Sequence, residues 1–271
     1  MQITLATLLA PMCLALGLAP GSSHAAPPRI ATRDVTWTSD GIAYAGQLVW
    51  DPAKLKAAHG HLPGVMVIHQ WMGPSDNERM RARMLAELGY AAFVADVYGV
   101  EARPKSQADA GPAAMKLKGD RPELRKRLRV NLDKMLSQPE VDGAKVAAIG
   151  YCFGGTAALE LARSGAALAA VVTFHGGLDS PTPADGANIH AKVLVLHGAA
   201  DPYVKAPDIQ AFLAELDAAK VDWQMVSYAG AVHAFTQKEA GDDPSKGAAY
   251  NEAADRRSWV AMKDFLAEAL R

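Results

Sequence analysis

The sequence predicts an α/β fold: a mostly parallel central sheet with helices on both faces and an N-terminal β-hairpin. Three observations carry this. Along most of the 271 residues, short apolar runs of strand length alternate with helical patterns, as repeated strand-helix units do. The runs "GVMVIH", "KVAAIGYC", "LAAVVTFHG" and "KVLVLHG" are apolar at nearly every position, which suits strands covered on both faces. Near the start, "DVTWTSDGIAYAGQLVW" reads as two strands joined by Asp40-Gly41, a strong hairpin signal.

The elements then follow in order. After the hairpin come the strand "GVMVIH", the helix "NERMRARMLAELG" with Ser75 placed to cap it, and the strand "AAFVADVYG". Next are the helix "ELRKRLRVNLDKML", the strand "KVAAIGYC", the helix "TAALELARSG" and the strands "LAAVVTFHG" and "KVLVLHG". The helix "IQAFLAELDAAK", the strand "WQMVSYAG" and a last helix near "RRSWVAMKDFLAEAL" complete the chain. Glycine and proline mark the turns, and no long linker divides residues 26–271, so they are expected to form one domain. In a sheet of this kind ligands gather at the carboxyl ends of the strands.

Composition narrows the function. A net charge of -1 supplies no global field to draw nucleic acid or an anionic membrane, and the basic cluster "RPELRKRLR" (121–129) is expected to be a solvated helix face. Residues 1–25 read as a secretory signal peptide: "ITLATLLAPMCLALGLA" is apolar, short and interrupted by proline, and Ser23 and Ala25 form a small-x-small cleavage site. No basic n-region precedes it. "APM" before Cys13 is not the small-residue approach of a lipoprotein cysteine, so the mature protein is expected to be periplasmic or secreted, without a membrane anchor.

Removing the leader leaves Cys152 as the sole cysteine. It cannot form an internal disulfide, one thiol lacks the companions of a structural zinc site, and the histidines are scattered, so neither metal nor cofactor is expected. A lone cysteine is often just a small buried hydrophobe. Its setting argues otherwise: "GYCFG" (150–154) follows a strand and precedes a helix, matching the strained nucleophile elbow with cysteine in place of serine. The helix N-terminus favours the reactive thiolate.

A nucleophile there needs a base and an orienting carboxylate, in the chain order nucleophile, acid, histidine. Asp201 in "AADPYV" and His233 in "AVHAF" each follow a strand. Taken singly, Asp201 reads equally as a turn residue before Pro202 and His233 as a loop histidine. The oxyanion donors are expected to be the amides of Phe153, after the nucleophile, and Trp71, in the loop after an early strand. His69 and His197 end strands and read as structural, His59, His61 and His190 as surface residues. His175 in "FHGGLD" reads as a pocket wall, since an oxyanion HGG motif belongs before the nucleophile.

"HQWMG", "GYCFGG", "HGAADPYV" and "AVHAF", in that order, together with the tail "DDPSKGAAYNEAADRRSW", resemble the dienelactone hydrolase family over nearly the whole mature chain, in particular its secreted or periplasmic branch. The resemblance implies an α/β-hydrolase fold, cofactor-free cleavage of a small ester or lactone, and Cys152, Asp201 and His233 as the triad. It also marks two departures. Gln70 stands where family members carry a glutamate beside the thiol, and Gln237 where enzymes of the carboxylate-bearing dienelactone place an arginine. A thioesterase, or a binding protein that keeps the fold without the chemistry, is an alternative reading.

Overall fold

The computed structural model describes residues 29–271 and Gln2; the expected leader, residues 1–25, otherwise lies outside the described residues. The described chain forms an eight-stranded sheet in the order β1-β2-β4-β3-β5-β6-β7-β8. Strands β1 (Ala31–Ser39) and β2 (Ile42–Trp50) make the expected antiparallel hairpin. Asp40 and Gly41 both take positive φ, 49° and 75°, as a tight two-residue turn between twisted strands demands. β2 pairs antiparallel with β4 (Ala91–Ala95). From there β3 (Leu62–Ile68), β5 (Val141–Tyr151), β6 (Ala170–Phe174), β7 (Lys192–Gly198) and β8 (Trp223–Tyr228) run parallel.

Because alternate residues of a strand face opposite sides of the sheet, the continuous apolar runs feed two cores. Met66, Ile68, Phe93, Val171 and Val193 face one; Val65, Val67, Val94, Val172 and Leu194 face the other. Helices α3 (Gln107–Gly119), α4 (Arg121–Leu136), α5 (Phe153–Arg163) and α6 (Ala206–Ala218) cover the first, while α2 (Asp76–Leu88) and α7 (Glu252–Ala269) cover the second. Ser75 caps α2 as expected: its hydroxyl accepts from the Asn77 amide, and Glu78 reaches back to the Ser75 amide at 2.9 Å.

Two features differ from the sequence reading. Helix α3 and the short α1 (Pro52–Ala57) were not foreseen; α3 carries Gly111-Pro112 in its interior, where proline forfeits a backbone hydrogen bond. The basic stretch 121–129 is a solvated face only in part: Lys126 is exposed, but the arginines are not. Arg121 is buried, Arg125 pairs with Glu160 and Asp185 at 2.8 and 2.6 Å, and Arg127 donates to the Tyr98 carbonyl and to Glu123. Carboxylates brought in by α5 and the loop after β6 make that burial tolerable, since charges leave water only when paired.

Candidate active site

Every group singled out for chemistry lies at or beyond the carboxyl end of a parallel strand. Cys152 stands between β5 and α5 with φ 55° and ψ -117°, a conformation that costs a non-glycine residue about 1–3 kcal/mol and persists only where neighbours hold it. Here they do. Its amide donates to the Phe174 carbonyl at 3.0 Å and approaches His175 Nδ1 at 3.2 Å, while its carbonyl accepts from the amides of Gly155 and Thr156. The flanking glycines are sterically required: a side chain at Gly150 would collide with the Gly154 carbonyl, and one at Gly154 with the carbonyls of Ile68 and His69.

His233 Nε2 lies 3.1 Å from Cys152 Sγ, and His233 Nδ1 donates to Asp201 Oδ2 at 2.8 Å. The other carboxylate oxygen of Asp201 accepts from the Tyr203 amide at 2.8 Å, which locks the fully buried side chain. Burial opposes charge on His233, but the negative Cys152 sulfur and the Asp201 hydrogen bond outweigh it and raise its pKa to about 10. The sulfur and the imidazole thus lie in direct contact, with the ring held on its far side by Asp201. The His233 loop is fastened from behind by the C-terminal segment: its amide donates to the Gly247 carbonyl, and its carbonyl accepts from the Ala249 amide.

His175 departs from its expected place. It is 1% exposed and sits behind the elbow rather than in the cavity wall, with Nε2 2.8 Å from the Thr236 hydroxyl. Burial and the neighbouring His233 charge hold its pKa well below the usual histidine value. A neutral ring can accept from the Cys152 amide without repelling the imidazolium, and this support for the elbow has no local sequence signal. His69 and His197 are buried at strand ends, and His59, His61 and His190 are exposed.

Sγ opens onto a cavity of about 920 Å³ lined by Gln70, Trp71, Met72, Met115, Phe153, Tyr203 and Gln237, among others. Trp71 and Phe153 are both present at its wall, and among the described residues no other protein group accepts from the Trp71 amide. The Gln70 side chain makes no hydrogen bond to Sγ, and Gln237, 7% exposed, has an amide nitrogen without a partner. Besides His233, three charged residues line the cavity: Asp76, Lys118 and Glu239. Lys118 is held by Asp179 at 2.6 Å, so its charge is already answered. The contributions of α3, through Gly111, Ala114, Met115 and Lys118, were missed with the helix itself.

The sequence pattern of the "Dienelactone hydrolase family" matches residues 52–270, which include all of these site residues. The chain belongs to the dienelactone hydrolase family. A solved structure named m3DLH is 42% identical, with a TM-score of 0.84 over 89% of this chain and 99% of its own. A dienelactone hydrolase-like promiscuous phosphotriesterase from metagenomic libraries is 41% identical, with a TM-score of 0.83 and the same coverage. A putative carboxymethylenebutenolidase of Salmonella typhimurium is 29% identical over 266 residues, 93% of this chain and 95% of that protein. This member of the dienelactone hydrolase family is thus an α/β-hydrolase of the dienelactone hydrolase type. Among its described residues no helix is long and apolar enough to cross a membrane, and no group of three or more His, Cys, Asp or Glu could hold a metal ion.

Proposed function

We propose that this protein cleaves small neutral esters or lactones through Cys152, His233 and Asp201, by way of an acyl-cysteine. The observation that carries the reading is the unbroken chain of contacts from Sγ through the His233 ring to Asp201, at 3.1 and 2.8 Å, at the edge of a cavity large enough for a small substrate. The sulfur attacks the substrate carbonyl, forming a C–S bond while the carbonyl electrons move to oxygen, where the Trp71 and Phe153 amides receive them. As the C–O bond breaks, the leaving oxygen takes the Nε2 proton of His233. The now neutral imidazole then removes a proton from water, the hydroxide forms a new C–O bond, and the C–S bond breaks to restore the thiolate. Asp201 keeps the ring oriented throughout.

Neutrality of the substrate is supported by the cavity charges. Asp76 and Glu239 line it, Lys118 is engaged by Asp179 and His233 by Asp201, so among the described residues no cation at its wall lacks an acidic partner. The unpartnered amide of Gln237 supports donation to a neutral oxygen acceptor. A second reading, hydrolysis of neutral phosphotriesters, draws on the 41% identical phosphotriesterase and the same cavity, whose Lys118 is already paired with Asp179. Thioesters remain a within-class alternative.

Intact mass after brief exposure to p-nitrophenyl acetate should show one acetyl group on Cys152. A panel of esters, lactones, thioesters and a neutral aryl dialkyl phosphate, run on the parent, Cys152→Ala and His233→Ala, identifies the substrate class. Turnover by Cys152→Ala equal to the parent's overturns the nucleophile assignment. The leader supports a periplasmic or secreted protein beginning at Ala26; recovery from the native cell with Met1 to Ala25 still attached overturns that.

A further inference from the structure

The loop that carries Trp71 is gripped from beneath by two side chains that the mechanism above does not use. His69 is fully buried at the end of β3, and its Nε2 accepts from the Val97 amide at 3.1 Å. A backbone N–H can only donate, so that nitrogen holds a lone pair and the ring proton sits on Nδ1. Nδ1 then donates to the Gln70 carbonyl at 2.5 Å. One residue on, the Tyr98 hydroxyl donates to the Trp71 carbonyl at 2.8 Å. Burial keeps both groups uncharged, lowering the pKa of His69 and raising that of Tyr98, so each remains the donor its geometry requires.

The consequence follows from peptide planarity. The Gln70 carbonyl and the Trp71 N–H belong to one trans peptide and point in opposite directions. Holding the carbonyl down toward His69 therefore fixes the direction of the N–H, and holding the Trp71 carbonyl removes the remaining freedom of the next peptide. The same rings reach the other donor. Phe153 stacks on Tyr98 at 5.6 Å with planes 12° apart, and on His69 at 6.0 Å, while His69 and Tyr98 lie 4.8 Å apart. The Trp71 loop and the start of α5 are thus joined through one aromatic cluster.

We infer that His69 and Tyr98 are positioning residues that set the direction and spacing of the two oxyanion-stabilising amides, an inference that rests on the hydrolase reading above. Neither touches substrate. Their removal should weaken what develops only in the transition state and leave the nucleophile intact.

Tyr98→Phe keeps the ring and removes the hydroxyl, which isolates the Trp71 bond. On p-nitrophenyl acetate its kcat should fall about tenfold with KM within about twofold. Affinity for phenyl trifluoromethyl ketone, which adds the sulfur to its carbonyl and leaves an oxyanion, should fall by a similar factor. Alkylation of Cys152 by iodoacetamide displaces iodide from a saturated carbon and forms no oxyanion, so its rate should not change. His69→Asn, whose amide can donate near the Nδ1 position, should retain more kcat than His69→Ala.

A kcat of Tyr98→Phe within twofold of the parent overturns the inference. So does a fall in kcat matched by the alkylation rate, or a change confined to KM. Should the His69 variants fail to fold, Tyr98→Phe decides alone. A parent that hydrolyses none of the panel, yet alkylates normally, overturns the hydrolase reading, and the positioning role falls with it.

Discussion

Asp201→Asn changes one atom of the site and should remove most of its turnover. The Tyr203 amide is a fixed donor 2.8 Å from Oδ1, so asparagine must turn its only acceptor oxygen there. Its NH₂ then faces His233 Nδ1, where the carboxylate had accepted at 2.8 Å. Two donors cannot share that line. The ring is driven to present a lone pair at Nδ1 and carry its proton on Nε2, the tautomer that cannot take a proton from water. Losing a charge-assisted hydrogen bond costs about 1.5–3 kcal/mol, and returning the ring to the productive Nδ1–H tautomer leaves a buried donor unsatisfied, about 1–3 more. Taken near 4 kcal/mol together, they correspond to about a 10³-fold loss of kcat. The assay is steady-state hydrolysis of p-nitrophenyl acetate, with far-UV circular dichroism to show the fold is kept. A variant that folds and keeps kcat within tenfold of the parent refutes the orienting role of Asp201.

Cys152→Ala should lower the pKa of His233 from about 10, because the sulfur's charge is the largest of the influences that raise it. Imidazole NMR titration reads this directly, and charge retained unchanged at pH 9 refutes it. The sign for stability is equally definite: a proton held more tightly when folded stabilises fully below the unfolded value of about 6.5 and ceases to do so as pH rises through about 10, so Tm should fall less across that window in Cys152→Ala. Neutral esters should show a higher kcat/KM than matched carboxylate-bearing ones; a preference for the anion that disappears in Lys118→Gln would show that Asp179 does not neutralise Lys118. Gln70→Glu sets a carboxylate in the cavity wall shared with Cys152 and should slow iodoacetamide alkylation at mildly acidic pH; equal rates in variant and parent refute an influence of that position on the thiolate.

What was legible in the sequence is what physics writes locally. Period-two and near-continuous apolar runs mark strands, Asp40-Gly41 supplies two residues tolerant of positive φ, and Gly150 and Gly154 frame a cysteine because any side chain there would strike backbone. Cys152, Asp201 and His233 could be nominated one by one, since each follows its own strand. That His233 Nε2 meets a sulfur 81 residues away was decided by the sheet, whose parallel order brings the ends of β5, β7 and β8 to one rim. The basic stretch 121–129 shows the same division: its helical period is local, but whether its arginines face water depends on Glu160 and Asp185 arriving from elsewhere. Helix α3 was hidden because Gly111-Pro112 is unfavourable in a helix by itself, and only packing against the core offsets that cost. His175, read as a pocket wall, lies behind the elbow because a backbone at φ 41° turns its ring toward the Cys152 amide. Backbone preference and periodicity act over a few residues and are written in the chain; the direction of a buried side chain, and the partner that satisfies it, depend on groups brought close only by folding.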